Sequence, residues 1–427
     1  MTGSMDAKKL RAWWWQRQGL DGSLHGKSAS EVLDRAGWAR SVGGANPYLT
    51  LFARAGLGRA AVDNAAAALD VLELPSARGC TYVVPAKDVA LALTVGQAFG
   101  GGEMNVARKL GATDRDVDRL CDKVLAALSK APMGPDELKA AVGPAVKTFG
   151  EEGKKKGLTS TLPVALGRLQ QSGDIRRIPA NGRLDQQRYT YALWRPNPLA
   201  KAKMSADEGY VELARRFFQW AGPARPADFQ WFSGLGVKAA KAAIEPLGLV
   251  AVEAGSGLLI DRKDLDAFTR MKAPGRPQYA LVASIDSISL LRRDLPSLLD
   301  AADLKRVVAG ERGARELGGL ADLPSHGILD RGRLVGLWEF DAATQRIAWW
   351  AFGADPKDKA LAAAVERTQA FVAGDLGDAR AFSLDSPKSR APRIAALRRA
   401  SRSQAGHRPR VSVSPPAASS SAWRSAR

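Results

Sequence analysis

The stretch TSTLPVALGRLQQSGDIRRIPANGRLDQQRYTYALW, residues 159–194, decides how this chain is read. It opens on three hydroxyl residues suited to capping a helix, then spaces Leu162, Leu166 and Leu169 along one helical face. From Asp174 the period changes: two alternating runs flank Asn181-Gly182, a pair favoured in type I′ hairpin turns. Upstream, TDRDVDRLCDKVLAALSK (113–130) places Val117, Leu120, Cys121, Val124, Leu125 and Leu128 at i, i+3, i+4 spacing. APMGPDELKAAVG (131–143) adds a turn and a short second helix. Three helices and then a hairpin is the order of a winged helix-turn-helix. In that motif the third helix can enter a major groove and the hairpin can touch backbone or minor groove.

The pattern returns on both sides. In 207–260 three helical runs precede LVAVEAGSGLLI, a hairpin turning through Gly255-Ser256-Gly257. A looser copy in 28–98 has the helix GRAAVDNAAAALD, the hairpin VLELPSARGCTYVV around Ser76–Gly79, and the helix PAKDVALAL. The expected architecture is α+β: winged-helix modules in tandem over 6–112, 113–196 and 205–272. QAFGGGEMN (97–105) has no GK[ST] to make it a phosphate loop and reads as a flexible linker. A β-rich domain is expected over 278–384, from strand-like QYALVASIDSISLL, GRLVGLWEF and RIAWWAFG, with Trp338, Trp349 and Trp350 filling its core. Residues 385–427, rich in Ser, Pro, Arg and Ala, read as a disordered basic tail.

Net charge is +19, and residues 386–427 hold ten Lys or Arg and no acid. The body therefore keeps a smaller basic excess, which favours DNA as partner. No apolar run approaches the roughly 20 residues of a membrane span, so no membrane partner is expected. No apolar h-region follows the basic N-terminus, which reads as lacking a signal peptide. Two cysteines, Cys80 and Cys121, are too few for a disulfide framework, and a cytoplasmic location is expected. His25, His326 and His407 are scattered, so no metal site is expected.

Several stretches together resemble the AlkZ/YcaQ-like DNA glycosylases. RGCTYVVPAKDVALAL (78–93) resembles their R-G-T-x-H-L-V-x-x-x-D-x-x-x-L hairpin and helix. ANPYLTLFARAGL (45–57) resembles their A-P-Y-L-x-L-W-x-R-L segment, and HGILDRGRLVGLWEFD (326–341) their V-D-G-x-V-V-G-x-W stretch. The resemblance runs from about Lys9 to Gly374. It implies tandem winged helices curled into a concave DNA-binding surface, and cofactor-free, metal-free hydrolysis of the N-glycosidic bond of alkylated purines, in some members within crosslinks. The family's catalytic Q-x-Q, just before P-Y-L-x-L, falls here on Arg40 and Val42; its hairpin His is Tyr82, and its hairpin Arg is kept as Arg78. Arginine offers donors, no acceptor and the wrong sign beside a developing sugar cation. Arg40 and Asn46 are the catalytic candidates at or near that position, with Ser41 or the Gln16-Arg17-Gln18 triplet as substitutes.

Candidate DNA contacts follow. Arg78 is the minor-groove probe that the resemblance implies, with Tyr82 beside it in the hairpin. Trp15 and Arg17, in RAWWWQRQG, could stack on a flipped base, whereas Trp13 and Trp14 share a core face with Leu10. Lys154, Lys155 and Lys156 can meet phosphate. Thr159, Ser160 and Arg168 lie off the leucine stripe of the recognition helix, and Arg176, Arg177 and Arg183 lie in wing two. Gly43 and Gly44 permit a close backbone approach. The expectation is a monomeric protein that binds double-stranded DNA, alkylated or crosslinked, and recognises or excises the alkylated bases without cofactor. The competing expectation is a winged-helix transcriptional regulator without enzymatic activity.

Overall fold

The chain runs from an Ala7–Arg17 helix to a Pro387–Gly406 helix. This computed structural model describes residues 6–310 and 313–406, a mixture of helix and sheet of the α+β kind. Near the N-terminus, β1 (Ala39–Arg40), β2 (Val71–Pro75) and β3 (Thr81–Pro85) form an antiparallel sheet in the order β1-β3-β2. The Asn46–Ala55 helix follows β1 directly, with Pro47 in its first turn and Gly56 in the left-handed conformation at its end.

The 113–194 stretch folds as its periodicity predicts. Helices Asp114–Leu128, Pro135–Val142 and Leu162–Gln171 precede β4 (Ile175–Pro179) and β5 (Tyr189–Leu193), and Val117, Leu120, Leu138, Leu162, Leu166 and Leu169 share one buried core. The turn differs from expectation. Pairing ends at Pro179 and Tyr189, so a long loop, not a two-residue turn, joins the strands. One more backbone bond follows, from Ala180 N to the Arg188 carbonyl at 2.8 Å, and then Leu184 is drawn away to bury against Tyr48, whose hydroxyl accepts from its backbone N–H at 2.9 Å. The expected linker at 97–105 is a second correction. Most of it enters a Gly101–Lys109 helix whose Met104 and Ala107 bury in this same core, outweighing its glycine content.

Helices Ala206–Ala221, Pro226–Ser233 and Val237–Ile244 precede a short hairpin, β6 (Val250–Ala251) with β7 (Leu259–Ile260). Their Phe217, Phe218, Trp220 and Phe232 pack with Trp38, Tyr82 and Leu91 of the N-terminal unit in one core. The last sheet runs β13-β12-β11-β8, from β8 (Tyr279–Val282), β11 (His326–Asp330), β12 (Arg333–Asp341) and β13 (Arg346–Ala351). Beside it, β9 (Val307–Gly310) pairs with β10 (Gly313–Glu316). The strand expected from Gln278 stops at Val282, and Asp286 caps the turn that follows. Trp338 is buried in the core, while Trp349 and Trp350 are only half-buried.

The expected disorder after Asp385 does not hold for the described part. The Pro387–Gly406 helix lies on β12 and β13. Arg390 pairs with Asp378 at 2.7 Å, Arg393 pairs with Glu339 and Asp385 at 2.7 and 2.8 Å, and Ile394 and Leu397 are buried beside them. Composition hid the helix because its arginines serve carboxylates that lie outside it. Residues 407–427, with His407, lie outside the described residues.

Candidate functional site

The leucine stripe fixes which way the Leu162–Gln171 helix faces. With Leu162, Leu166 and Leu169 inward, Arg168 and Gln171 turn toward a cleft of about 680 Å³. One wall is the hairpin end carrying Pro75, Gly79 and Thr81; the other carries Thr159, Ser160, Arg168, Arg177 and Tyr191, with Lys139 close by. Four expected DNA contacts thus meet in one cleft opposite the hairpin: Thr159, Ser160, Arg168 and Arg177. Arg168 is held by Asp114 at 3.4 Å and by Asp118.

Beside the cleft lies β1, which carries Arg40. Arg40 donates to the Thr81 carbonyl at 3.3 Å and sits 5.5 Å from the Tyr82 ring. Asn46 is buried: its Nδ2 donates to the Arg40 carbonyl at 2.7 Å and its Oδ1 accepts from Thr50 at 3.3 Å. Both ends are engaged, so Asn46 braces the turn and does not offer itself to a substrate. Gly43 takes φ +73°, and a Cβ on Gly44 would stand 2.3 Å from the Ala381 carbonyl oxygen. The close approach that the glycines permit is made by residues 380–383 of the same chain, whose Arg380 carbonyl accepts from Ala45 N at 2.9 Å. Gly44→Ala is expected to cost about 1–3 kcal/mol by overpacking, read as a lower urea midpoint.

Glu73, an acid that sequence reading passed over, lies behind Ser41. The Ser41 hydroxyl donates to Glu73 Oε1 at 2.6 Å, as does the Tyr189 hydroxyl at 3.1 Å. Arg177 donates from Nε to the Glu73 carbonyl at 3.3 Å and stacks 4.7 Å from the Tyr189 ring. Burial pushes the Tyr189 hydroxyl well above its ordinary range, so it stays a donor. The local hint was no more than a lone charge inside the apolar run VLELP, with no sign of the hydroxyls that close over it.

The family model described as "DNA glycosylase AlkZ-like" matches residues 32–371. The chain belongs to the AlkZ-like DNA glycosylase family. It shares its fold with the solved Streptomyces sahachiroi DNA glycosylase AlkZ at TM-score 0.65 and 21% identity, over 90% of this chain and 99% of that one. No curated protein matches it in sequence. Membership in a DNA-repair family leaves the transcriptional regulator without support. No described helix is long and apolar enough to cross a membrane.

Within this AlkZ-like fold the remaining expected contacts scatter. Trp15 is 1% exposed and its indole N–H reaches Gln278 at 3.2 Å, so no flipped base can stack on it. Arg17 is paired with Asp264 and lies 5.2 Å from the Trp13 ring; burial lowers its pKa to about 10. Gln18 is buried between Trp220 and Arg54, while Gln16 is exposed. Tyr82 is 4% exposed among Trp38 and Phe232, and burial raises its hydroxyl pKa, so it cannot replace a DNA-facing His. Arg183 is committed to Asp185 and the Leu376 carbonyl, and Arg176 is half-buried on β4. Lys154 and Lys156 pair with Glu151 and Glu152, and all three lysines are exposed outside the cleft lining. Arg78 is exposed at the hairpin tip, at φ +58°, with its guanidinium 4.1 Å from the Trp231 ring. Among the described residues no cluster of three His, Cys, Asp or Glu side chains could hold a metal.

Proposed function

We propose that this chain binds double-stranded DNA through the cleft between the Pro75–Thr81 hairpin and the Leu162–Gln171 helix, and that it excises N7-alkylated purines there, free or crosslinked. One observation carries the reading: Thr159, Ser160, Arg168 and Arg177 meet in that cleft, opposite the hairpin that carries Arg78 and beside the strand that carries Arg40. The units 6–112, 113–196 and 205–272 act as winged-helix modules on one duplex, and the protein works as a cytoplasmic monomer without metal or organic cofactor. An N7-alkylated purine is already cationic and leaves with the glycosidic electron pair, so the protein must hold a water and stabilise the sugar cation. Arg78 contacts phosphate or the minor groove, and Arg40 clamps the strand backbone.

The test uses protein ending at Gly406 and a duplex with one N7-methylguanine, beside an unmodified control. Alkali-labile breaks at the lesion are expected. A mobility shift with intact strands would refute excision and leave binding; neither shift nor breaks would refute both. Arg78→Ala is expected to weaken binding roughly fivefold and lower the salt slope by about one, measured by anisotropy from 50 to 200 mM salt.

A further inference from the structure

Glu73 has one oxygen too few partners for its depth. Its side chain is 3% exposed, yet Oε1 accepts two hydroxyl hydrogens while Oε2, also buried, has no hydrogen-bond partner. Arg177 Nε stands 3.9 Å from that Oε2, and Arg177 Nη2 is buried and unpartnered too. A buried carboxylate oxygen and a buried guanidinium N–H, each without a hydrogen bond, are costly unless a further polar group joins them.

The place connects with the cleft. Glu73 and Pro75 share one face of β2, because alternate strand residues point the same way, and Thr81 pairs with Pro75 across the hairpin. Pro75, Thr81 and Arg177 all line the cleft. Ser41, bound to Glu73, lies between Arg40 and Val42, the two positions where the resemblance puts catalytic glutamines.

We propose that Glu73 is the catalytic carboxylate of this protein, taking a proton from the hydrolytic water at its free Oε2, with Ser41 and Tyr189 as positioning residues. This rests on the base-excision reading above. The C1′–N9 bond breaks and its electron pair neutralises the cationic alkylpurine. The water oxygen bonds to C1′, and one water proton passes to Glu73. Negative charge beside the sugar stabilises the oxocarbenium character that Arg40 would oppose. The two hydroxyl donors on Oε1 leave Oε2 as the one carboxylate oxygen without a hydrogen bond, and so the one that can take the proton.

The test compares binding of two duplexes, one with a cationic pyrrolidine abasic-site analogue and one with a neutral tetrahydrofuran analogue. Wild type is expected to prefer the cation roughly tenfold or more. Glu73→Gln should lose that preference while still binding the neutral duplex, which also shows that it folds. Glu73→Asp keeps the charge beside Ser41, Tyr189 and Arg177, withdraws it by one methylene, and should lose most of the preference. Ser41→Ala should fall between. Neutral binding without cation preference in wild type, or preference retained by Glu73→Gln and Glu73→Asp, would overturn the proposal while leaving DNA binding intact. Failure to bind either duplex would bring down the DNA-binding reading, and Glu73's role with it.

Discussion

Arg54→Leu is expected to lower the stability of the protein by about 3–5 kcal/mol, read as a large drop in the urea or thermal midpoint. Arg54 and Asp286 are both fully buried, and the guanidinium grips the carboxylate with two bonds, 2.8 and 2.7 Å. The same guanidinium donates to the Gln18 carbonyl at 2.8 Å, the Gln18 side chain at 3.0 Å and the Thr50 carbonyl at 3.2 Å. Leucine leaves Asp286 as a lone buried charge and strands those acceptors. Burial pushes the Asp286 carboxyl upward, but Arg54 outweighs it and holds the carboxyl below its ordinary range. A pKa lowered on folding stabilises above the unfolded value and loses that contribution as pH falls through the folded one. Without Arg54 burial dominates and the carboxyl can protonate. The deficit of the variant should therefore begin to shrink as pH falls through that raised value, above the ordinary carboxylate range of about 4, and go on shrinking below it as the wild type loses its own contribution. Adding Asp286→Leu should recover much of the loss, since a paired charge replaced by two apolar groups is often neutral. An unchanged midpoint in Arg54→Leu would refute the argument.

That pair also shows which parts of the fold could be read from sequence. The helices of 113–194 and the hairpins at 71–85 and 250–260 were legible because their signals are local: a leucine stripe, alternation, a glycine turn. Arg11, Arg54, Arg390 and Arg393 were not, because charge argues for the surface and their partners stand elsewhere in the chain. Trp15 misled for the related reason that its half-buried partner, Gln278, is set by tertiary packing. At the site, the recognition-helix polar face was readable from the stripe that it opposes. Glu73 was not, since nothing in VLELP tells that Ser41 and Tyr189 will close over it. Local period gave the walls of the cleft, whereas the long-range polar pairs beside it left no local signal.

Removing everything after Ser386 is the second large effect expected. It deletes Arg390 and Arg393, leaving Glu339 and Asp385 buried without their cations, and strips Ile394 and Leu397 from the β12–β13 face. Orphaned buried charge alone costs about 3–5 kcal/mol, and each lost aliphatic side chain about 1.5–3 more, so partial unfolding of the C-terminal sheet should follow. The effect reaches the site through a defined path. Asp378, Arg390's partner, precedes the 380–383 segment, which bonds to the motif turn through Ala45 N to the Arg380 carbonyl and Ser383 N to the Val42 carbonyl, each 2.9 Å. Hydrogen exchange at Ala45 and Ser383 should therefore speed up, and affinity for a duplex should fall, even at temperatures where the helices of 113–194 keep their protection. Cutting after Gly406 is the control: it removes Arg408, Arg410, Arg424 and Arg427 but keeps every buried pair. If both truncations bind and unfold alike, the Pro387–Gly406 helix is dispensable and the motif turn stands without it.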